Sequence, residues 1–159
     1  MGKQNLCING GLLGREIDGL IREYLEIDEE HLYKLPDNID LDVGPLLQPL
    51  STVIHAQRRV NITPGSFVLI LGAGNTGLMH LQLAKLYGAY VIVVSRSKHK
   101  LNLAKSLGAD KIFSTLEIPI SNIKDEILNI TDKLGVDLII DTTANPDLVI
   151  QMLDILRPG

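Results

Sequence analysis

One cysteine, Cys7, stands in 159 residues, and there is no tryptophan. A single thiol excludes an internal disulfide framework. It also excludes a zinc site made only of this chain's own cysteines, and it fits a reducing, cytoplasmic setting. Aromatic residues make up 4%, too few for the stacking platforms that grip bases or sugars. Positive charge is not in excess: 15 Lys and Arg face 19 Asp and Glu, for a formal net charge of -4. No electrostatic footprint for nucleic acid or an anionic membrane is present. No apolar run approaches the roughly 20 residues that span a bilayer. Met1-Gly2-Lys3-Gln4-Asn5 carries no apolar signal-peptide core. What is present is ordinary globular composition, 45% hydrophobic and 21% charged, enough to bury a core. The length fits the soft prior of about 150 residues per domain.

The texture changes near residue 60. Before it lie irregular charged stretches and short apolar runs; after it, apolar strands alternate with amphipathic helices. Thr63-Pro64-Gly65 is a turn signal. Phe67-Val68-Leu69-Ile70-Leu71 is a continuous apolar run, as expected of a strand buried on both faces of a parallel sheet. A helix is expected from Asn75 to Tyr87, closed by Gly88, then a strand over Tyr90–Val94. A second helix is expected over Lys98–Leu107 and a short strand over Lys111–Phe113. Ser121 is read as the cap of a third helix whose stripe is Ile123, Ile127, Ile130 and Leu134. Val136–Ile140 reads as the fourth strand and Asn145–Leu156 as the fourth helix. Strand and helix alternating in this way predict α/β architecture, a Rossmann-type doubly wound parallel sheet. Within the first 60 residues, Ile21–Ile27 reads as a strand, Tyr33–Asp37 as a turn and Ser51–Val60 as a helix. No independent core is legible there.

Gly72-x-Gly74-x-x-Gly77 follows the first strand and opens a helix, the context that gives a dinucleotide fingerprint its meaning. The first glycine permits a tight turn, the second lets backbone approach a pyrophosphate, and the third lets helix and strand pack closely. Phosphates would then sit on the free N–H groups at Asn75, Thr76 and Gly77. An NAD site places Asp or Glu about 20 residues on, at the end of the second strand. Here the position is Ser95, followed by Arg96, with Lys98 and Lys100 nearby. A serine beside a guanidinium suits a 2′-phosphate, which a carboxylate would repel. NADP is therefore favoured over NAD. The alternative is that the cations form only a solvated helix start.

Several further motifs go together: Leu32-Tyr33-Lys34-Leu35-Pro36-Asp37, Leu46-Leu47-Gln48-Pro49-Leu50, His55-Ala56 with Arg58-Arg59, Leu103-Ala104-Lys105-Ser106-Leu107-Gly108-Ala109-Asp110 and Leu156-Arg157-Pro158-Gly159. With the glycine turn they resemble the medium-chain dehydrogenase/reductase family, in its zinc-dependent alcohol, polyol and threonine dehydrogenase branch, over essentially the whole chain. The resemblance implies hydride transfer between an alcohol and a nicotinamide cofactor, with a catalytic zinc polarising the substrate oxygen. It implies that Asn5-Leu6-Cys7 ends a structural zinc lobe in which Cys7 is the last of four cysteines, so that zinc belongs to the family and is not expected here. Gln48 occupies the family's zinc-proximal position, where a neutral amide is a poor ligand, and no complete catalytic set is present. Thr52 matches a threonine that packs against the nicotinamide. Thr143, in the Asp141–Ala144 loop after the fourth strand, matches a segment running beside the cofactor, although helix capping explains that loop as well.

On this resemblance residues 1–60 are a partial tail of a catalytic domain with its linking helix, and residues 61–159 a partial dinucleotide domain with about four of six strands. The expected ligands are a dinucleotide and, in an intact enzyme, a small-molecule alcohol. The fragment itself is expected to be inactive. A non-catalytic dinucleotide-binding module, half of a split dehydrogenase and a zinc-free quinone reductase relative stay open as alternatives. The fourth strand, Val136–Ile140, is expected to expose an apolar edge and to favour self-association or capture of a missing half. His55 is read as packed or solvated in preference to a proton relay.

Overall fold

A computed structural model describes residues 7–158. The chain divides into two compact units, residues 1–39 and 40–159.

Among the described residues of the first unit there is no α-helix and no strand, only a 3-10 turn at Glu29–His31 and an isolated bridge between Leu13 and Ile17. Ile21–Ile27 is not a strand. Its alternation is real, but a strand needs a partner edge and a covered face. Here Ile21 and Tyr24 are fully or almost fully exposed.

The second unit opens with a 3-10 turn, Gly44–Leu46, that runs into α1, Leu47–Gln57. This helix starts earlier than the sequence predicts because Pro49 falls inside its first turn, where a missing N–H costs nothing. Strands β1 (Phe67–Leu71), β2 (Tyr90–Ser95), β3 (Lys111–Ser114) and β4 (Leu138–Asp141) form one parallel sheet in the order β3-β2-β1-β4. These are the first four strands of the doubly wound order 3-2-1-4-5-6. Helices α2 (Asn75–Leu86), α3 (Lys98–Ser106), α4 (Ile120–Ile130) and α5 (Pro146–Leu153) are the crossovers and the closing helix.

The strands are apolar throughout because both faces are covered. Val68, Ile70, Val91 and Val93 pack with Leu81 and Ala84 of α2 and Leu101 and Ala104 of α3. Leu69, Leu71, Ile92 and Val94 face the other way, into Ile123 and Ile127 of α4 and Leu148 and Met152 of α5. The sheet's starting edge is tied by polar groups. The Asp110 carboxylate accepts from the Val91 N–H at 2.6 Å and pairs with Lys85 at 2.7 Å.

Three element ends differ from the sequence reading. α4 begins at Ile120 with Pro119 before it, and the Ser121 hydroxyl points to Asn122, so Ser121 is not its cap. Leu134 is 60% exposed and leaves the stripe, because Asp132 and Lys133 turn the chain into the left-handed region first. α5 stops at Leu153, and Leu156 forms a parallel bridge with Val136. That bridge corrects the expected open edge at Val136. The Val136 N–H donates to the Ile155 carbonyl at 2.8 Å, Arg157 N–H returns to Val136 at 2.9 Å, and Val136 is fully buried. Leu138–Ile140 remain half-buried.

Candidate functional site

The carboxyl ends of the strands surround one cleft of about 540 Å³, where ligands bind in open parallel sheets. Its lining comes from the glycine turn after β1, the end of β2, the segment after β3, the loop after β4 and the start of α5.

The three glycines of the turn are required for different reasons. Gly72 has φ +102°, and a Cβ there would stand 2.6 Å from Thr142 Oγ1. Gly77 is buried in the first turn of α2, where a Cβ would run into the Gly72 carbonyl oxygen. Gly74 is unlike both: a Cβ would meet nothing within 4 Å. The fold therefore demands glycine at 72 and 77, while at 74 it leaves backbone facing open space. Gly74 is also the N-terminal flank of α2 and gives it no side-chain cap. The N–H groups of Asn75, Thr76 and Gly77 have no carbonyl one turn earlier within the helix. Gly72, Ala73 and Gly74 line the cleft, whereas Asn75, Thr76 and Gly77 are not among its lining residues.

At the end of β2, Ser95 is half-buried and Arg96 is exposed. Arg96 makes no ion pair among the described residues, whereas Lys98 turns away to Glu117 at 2.9 Å. Lys100 lines the cleft with Arg96; Lys98 does not. The Ser97 hydroxyl caps α3 by accepting from the Lys100 N–H at 3.5 Å. The one carboxylate in the lining is Asp147, in the first turn of α5. The cleft is thus cationic along its β2 side.

The loop after β4 holds itself together. The Asp141 carboxylate accepts from the Thr143 N–H at 2.9 Å and its hydroxyl at 2.6 Å, and Thr143 Oγ1 accepts from the Asn145 N–H at 3.1 Å. Asn145 caps α5. Thr143 lines the cleft while doing this local work.

The structure does not bring the remaining sequence candidates into the cleft. Gln48 and Thr52 are exposed on α1, where the Thr52 hydroxyl donates to the Pro49 carbonyl at 2.7 Å. His55 is exposed on the same helix. Asn5 and Leu6 lie outside the described residues. Cys7 is a free, exposed thiol. The one group of metal-capable donors among the described residues is Asp28, Glu30 and His31, all exposed and without cysteine. That donor set does not fit the family's cysteine-held zinc.

One buried polar pair escaped the sequence reading. Gln57 and His80 are both buried, joining α1 to α2. Gln57 Nε2 lies 3.0 Å from His80 Nδ1 and donates to the His80 carbonyl at 2.9 Å. Burial pushes the His80 pKa below its ordinary value. Nothing in local spacing signals a pair 23 residues apart.

Comparison with known proteins gives a consistent result. Residues 76–159 match the family model of zinc-binding dehydrogenases. D-xylulose reductase A of Aspergillus oryzae is 33% identical over 161 residues, which take in 99% of this chain and 45% of that protein. L-threonine 3-dehydrogenase of Pyrococcus furiosus is 33% identical, over 99% of this chain and 44% of its own. Among solved structures, galactitol-1-phosphate dehydrogenase from Escherichia coli superposes with a TM-score of 0.82 at 27% identity, over 96% of this chain and 44% of that one. The chain spans a little under half the length of the curated relatives it matches.

Proposed function

Because this chain belongs to the zinc-binding dehydrogenase family, among the medium-chain dehydrogenases/reductases, we propose that its cleft holds a nicotinamide dinucleotide, and NADP in preference to NAD. The observation that carries the preference is at the end of β2: Ser95 and an Arg96 that makes no ion pair among the described residues stand where an NAD site puts a carboxylate, with Lys100 beside them. Gly74 and the N–H groups of Asn75, Thr76 and Gly77 would take the pyrophosphate. Ser95, Arg96 and Lys100 would take the 2′-phosphate, and Thr143 would flank the cofactor. Thr52 has its cofactor role only through the family pattern. When bound, the nicotinamide supplies hydride transfer to or from an alcohol carbon.

In this reading the parent activity is alcohol or polyol oxidation and carbonyl reduction. Residues 1–60 would be a partial tail of the catalytic domain with its linking helix and 61–159 a partial dinucleotide domain, in a reducing cytoplasm. The chain alone is expected to bind nucleotide and turn nothing over: the one metal-capable group among its described residues, Asp28, Glu30 and His31, lacks the cysteine of the family pattern. Alcohol-dependent NADPH formation by the purified chain would refute that last point.

A second reading, half of a split dehydrogenase, is favoured by the exposed apolar side chains Ile8, Leu20, Ile21, Tyr24 and Tyr33. Large exposed apolar surface marks an interaction site. Self-association along Leu138–Ile140 competes with it. Sedimentation velocity separates a self-associating chain from a monomer awaiting a partner.

The test of the cofactor assignment is a paired calorimetric titration with NADP and NAD. Charge-assisted hydrogen bonds contribute about 1.5–3 kcal/mol. Arg96→Ala is therefore expected to weaken NADP about tenfold or more and to leave NAD unchanged. Equal losses for the two cofactors would sink the assignment.

A further inference from the structure

Thr142 lies in the loop after β4, next to the residue that the sequence singles out, and it is the better placed of the two. Its N–H and its hydroxyl both donate to the Leu71 carbonyl, the last of β1, each at 2.9 Å. Its Oγ1 is also 3.4 Å from the Gly72 carbonyl oxygen. The same oxygen sits 2.6 Å from where a Gly72 Cβ would be and 3.0 Å from where a Gly77 Cβ would be. One hydroxyl thus occupies the space that two glycines leave empty. It ties β4 to a turn some 70 residues earlier in the chain.

We propose that Thr142 is the positioning residue of the glycine turn: its hydroxyl, anchored on the Leu71 carbonyl, sets the path of Gly72–Gly77 and so aims the α2 N–H groups at a bound pyrophosphate. The hydroxyl proton is committed to backbone, so Thr142 acts through the turn rather than as a ligand contact. The branched side chain has few χ1 options, and its N–H bond holds the residue's backbone in place. Thr143 differs, because its hydroxyl is taken up within its own loop by Asp141 and Asn145.

A purely space-filling role and a hydroxyl-dependent role predict opposite results. Thr142→Val keeps the branched shape and loses the O–H; Thr142→Ser keeps the O–H and loses the methyl. The readouts are NADPH affinity, from the fluorescence of the bound cofactor, and the amide chemical shifts of Gly72, Gly74 and Asn75 in the free protein. Thr142→Val should weaken NADPH by about three- to tenfold, the worth of one net hydrogen bond, and should move those amides. Thr142→Ser should bind within about twofold of the parent, with the amides in place. The proposal is overturned if Thr142→Val binds like the parent with unmoved amides, or if Thr142→Ser loses as much as Thr142→Val.

The inference rests on the dinucleotide reading, and the two fail separately. A parent chain that binds no dinucleotide defeats that reading, while the free-protein amide shifts still decide the role of Thr142.

Discussion

Residues 7–39 and residues 40–158 both carry abundant apolar side chains, yet they use them in opposite ways. In the first stretch no side chain is buried: Ile8, Ile21, Tyr24 and Tyr33 stand almost wholly in solvent. In the second, Val68, Leu69, Ile70 and Leu71 are each 0% exposed. Hydrophobicity does not separate them; layering does. A strand becomes core when helices cover both its faces, as α2 and α3 cover one side of β1 and α4 and α5 the other. Residues 7–39 supply short runs broken by Gly10, Gly11, Gly14, Gly19 and Pro36, and hold no α-helix or strand of their own among the described residues.

The largest effect that sharpens this contrast is in the sheet. Leu69→Ala should cost about 2–5 kcal/mol by lost burial and cavity formation. Ile21→Ala should stay within about 0.5 kcal/mol. Urea denaturation followed by circular dichroism measures both, and a comparable loss at Ile21 would break the contrast.

Next comes a contrast within the glycine turn. Gly77→Ala drives a methyl into the Gly72 carbonyl, and overpacking of this kind costs about 1–3 kcal/mol. Gly74→Ala meets open space and should leave the urea midpoint unchanged, while its Cβ stands where a pyrophosphate would approach. NADP binding is expected to fall in both variants, with stability falling only in the first. A Gly74→Ala chain that binds NADP as tightly as the parent contradicts the assignment of that space.

The smallest effect is pH-dependent. His80 is buried neutral, with a pKa lowered by desolvation. Below the ordinary histidine value of about 6.5 the unfolded chain takes up a proton that the folded unit resists. Stability conferred by the neutral form is therefore present above that pH and declines as pH falls toward the folded pKa. The urea midpoint should drop between pH 7.5 and 5.5, and His80→Gln should reduce the drop. An unchanged slope in the variant would assign the effect elsewhere.

The fold was legible wherever burial is periodic and local. All four strands were readable because each is a short apolar run between turn signals, and the glycine turn was readable from its place between strand and helix. Ser95, Arg96, Lys100 and Thr143 do converge on the cleft with Gly72 and Gly74. Misreadings fall where a distant partner or a left-handed stretch of backbone decides. Val136 pairs with Leu156 rather than opening β4, and Leu134 is carried away from its stripe by the left-handed Asp132 and Lys133. Thr142 and the Gln57–His80 pair were invisible for the same reason. Their partners lie far along the chain, and no spacing rule connects them.

The proposed dinucleotide site is the cleft at the carboxyl edge of the 40–158 unit. The direct test is an amide-resolved NMR titration of the 159-residue chain with NADP. Shifts are expected at Gly72–Gly77, Ser95–Lys100 and Thr142–Thr143, with the amides of residues 7–39 unmoved. Shifts centred on residues 7–39, or no shifts at saturating NADP and NAD, would contradict it.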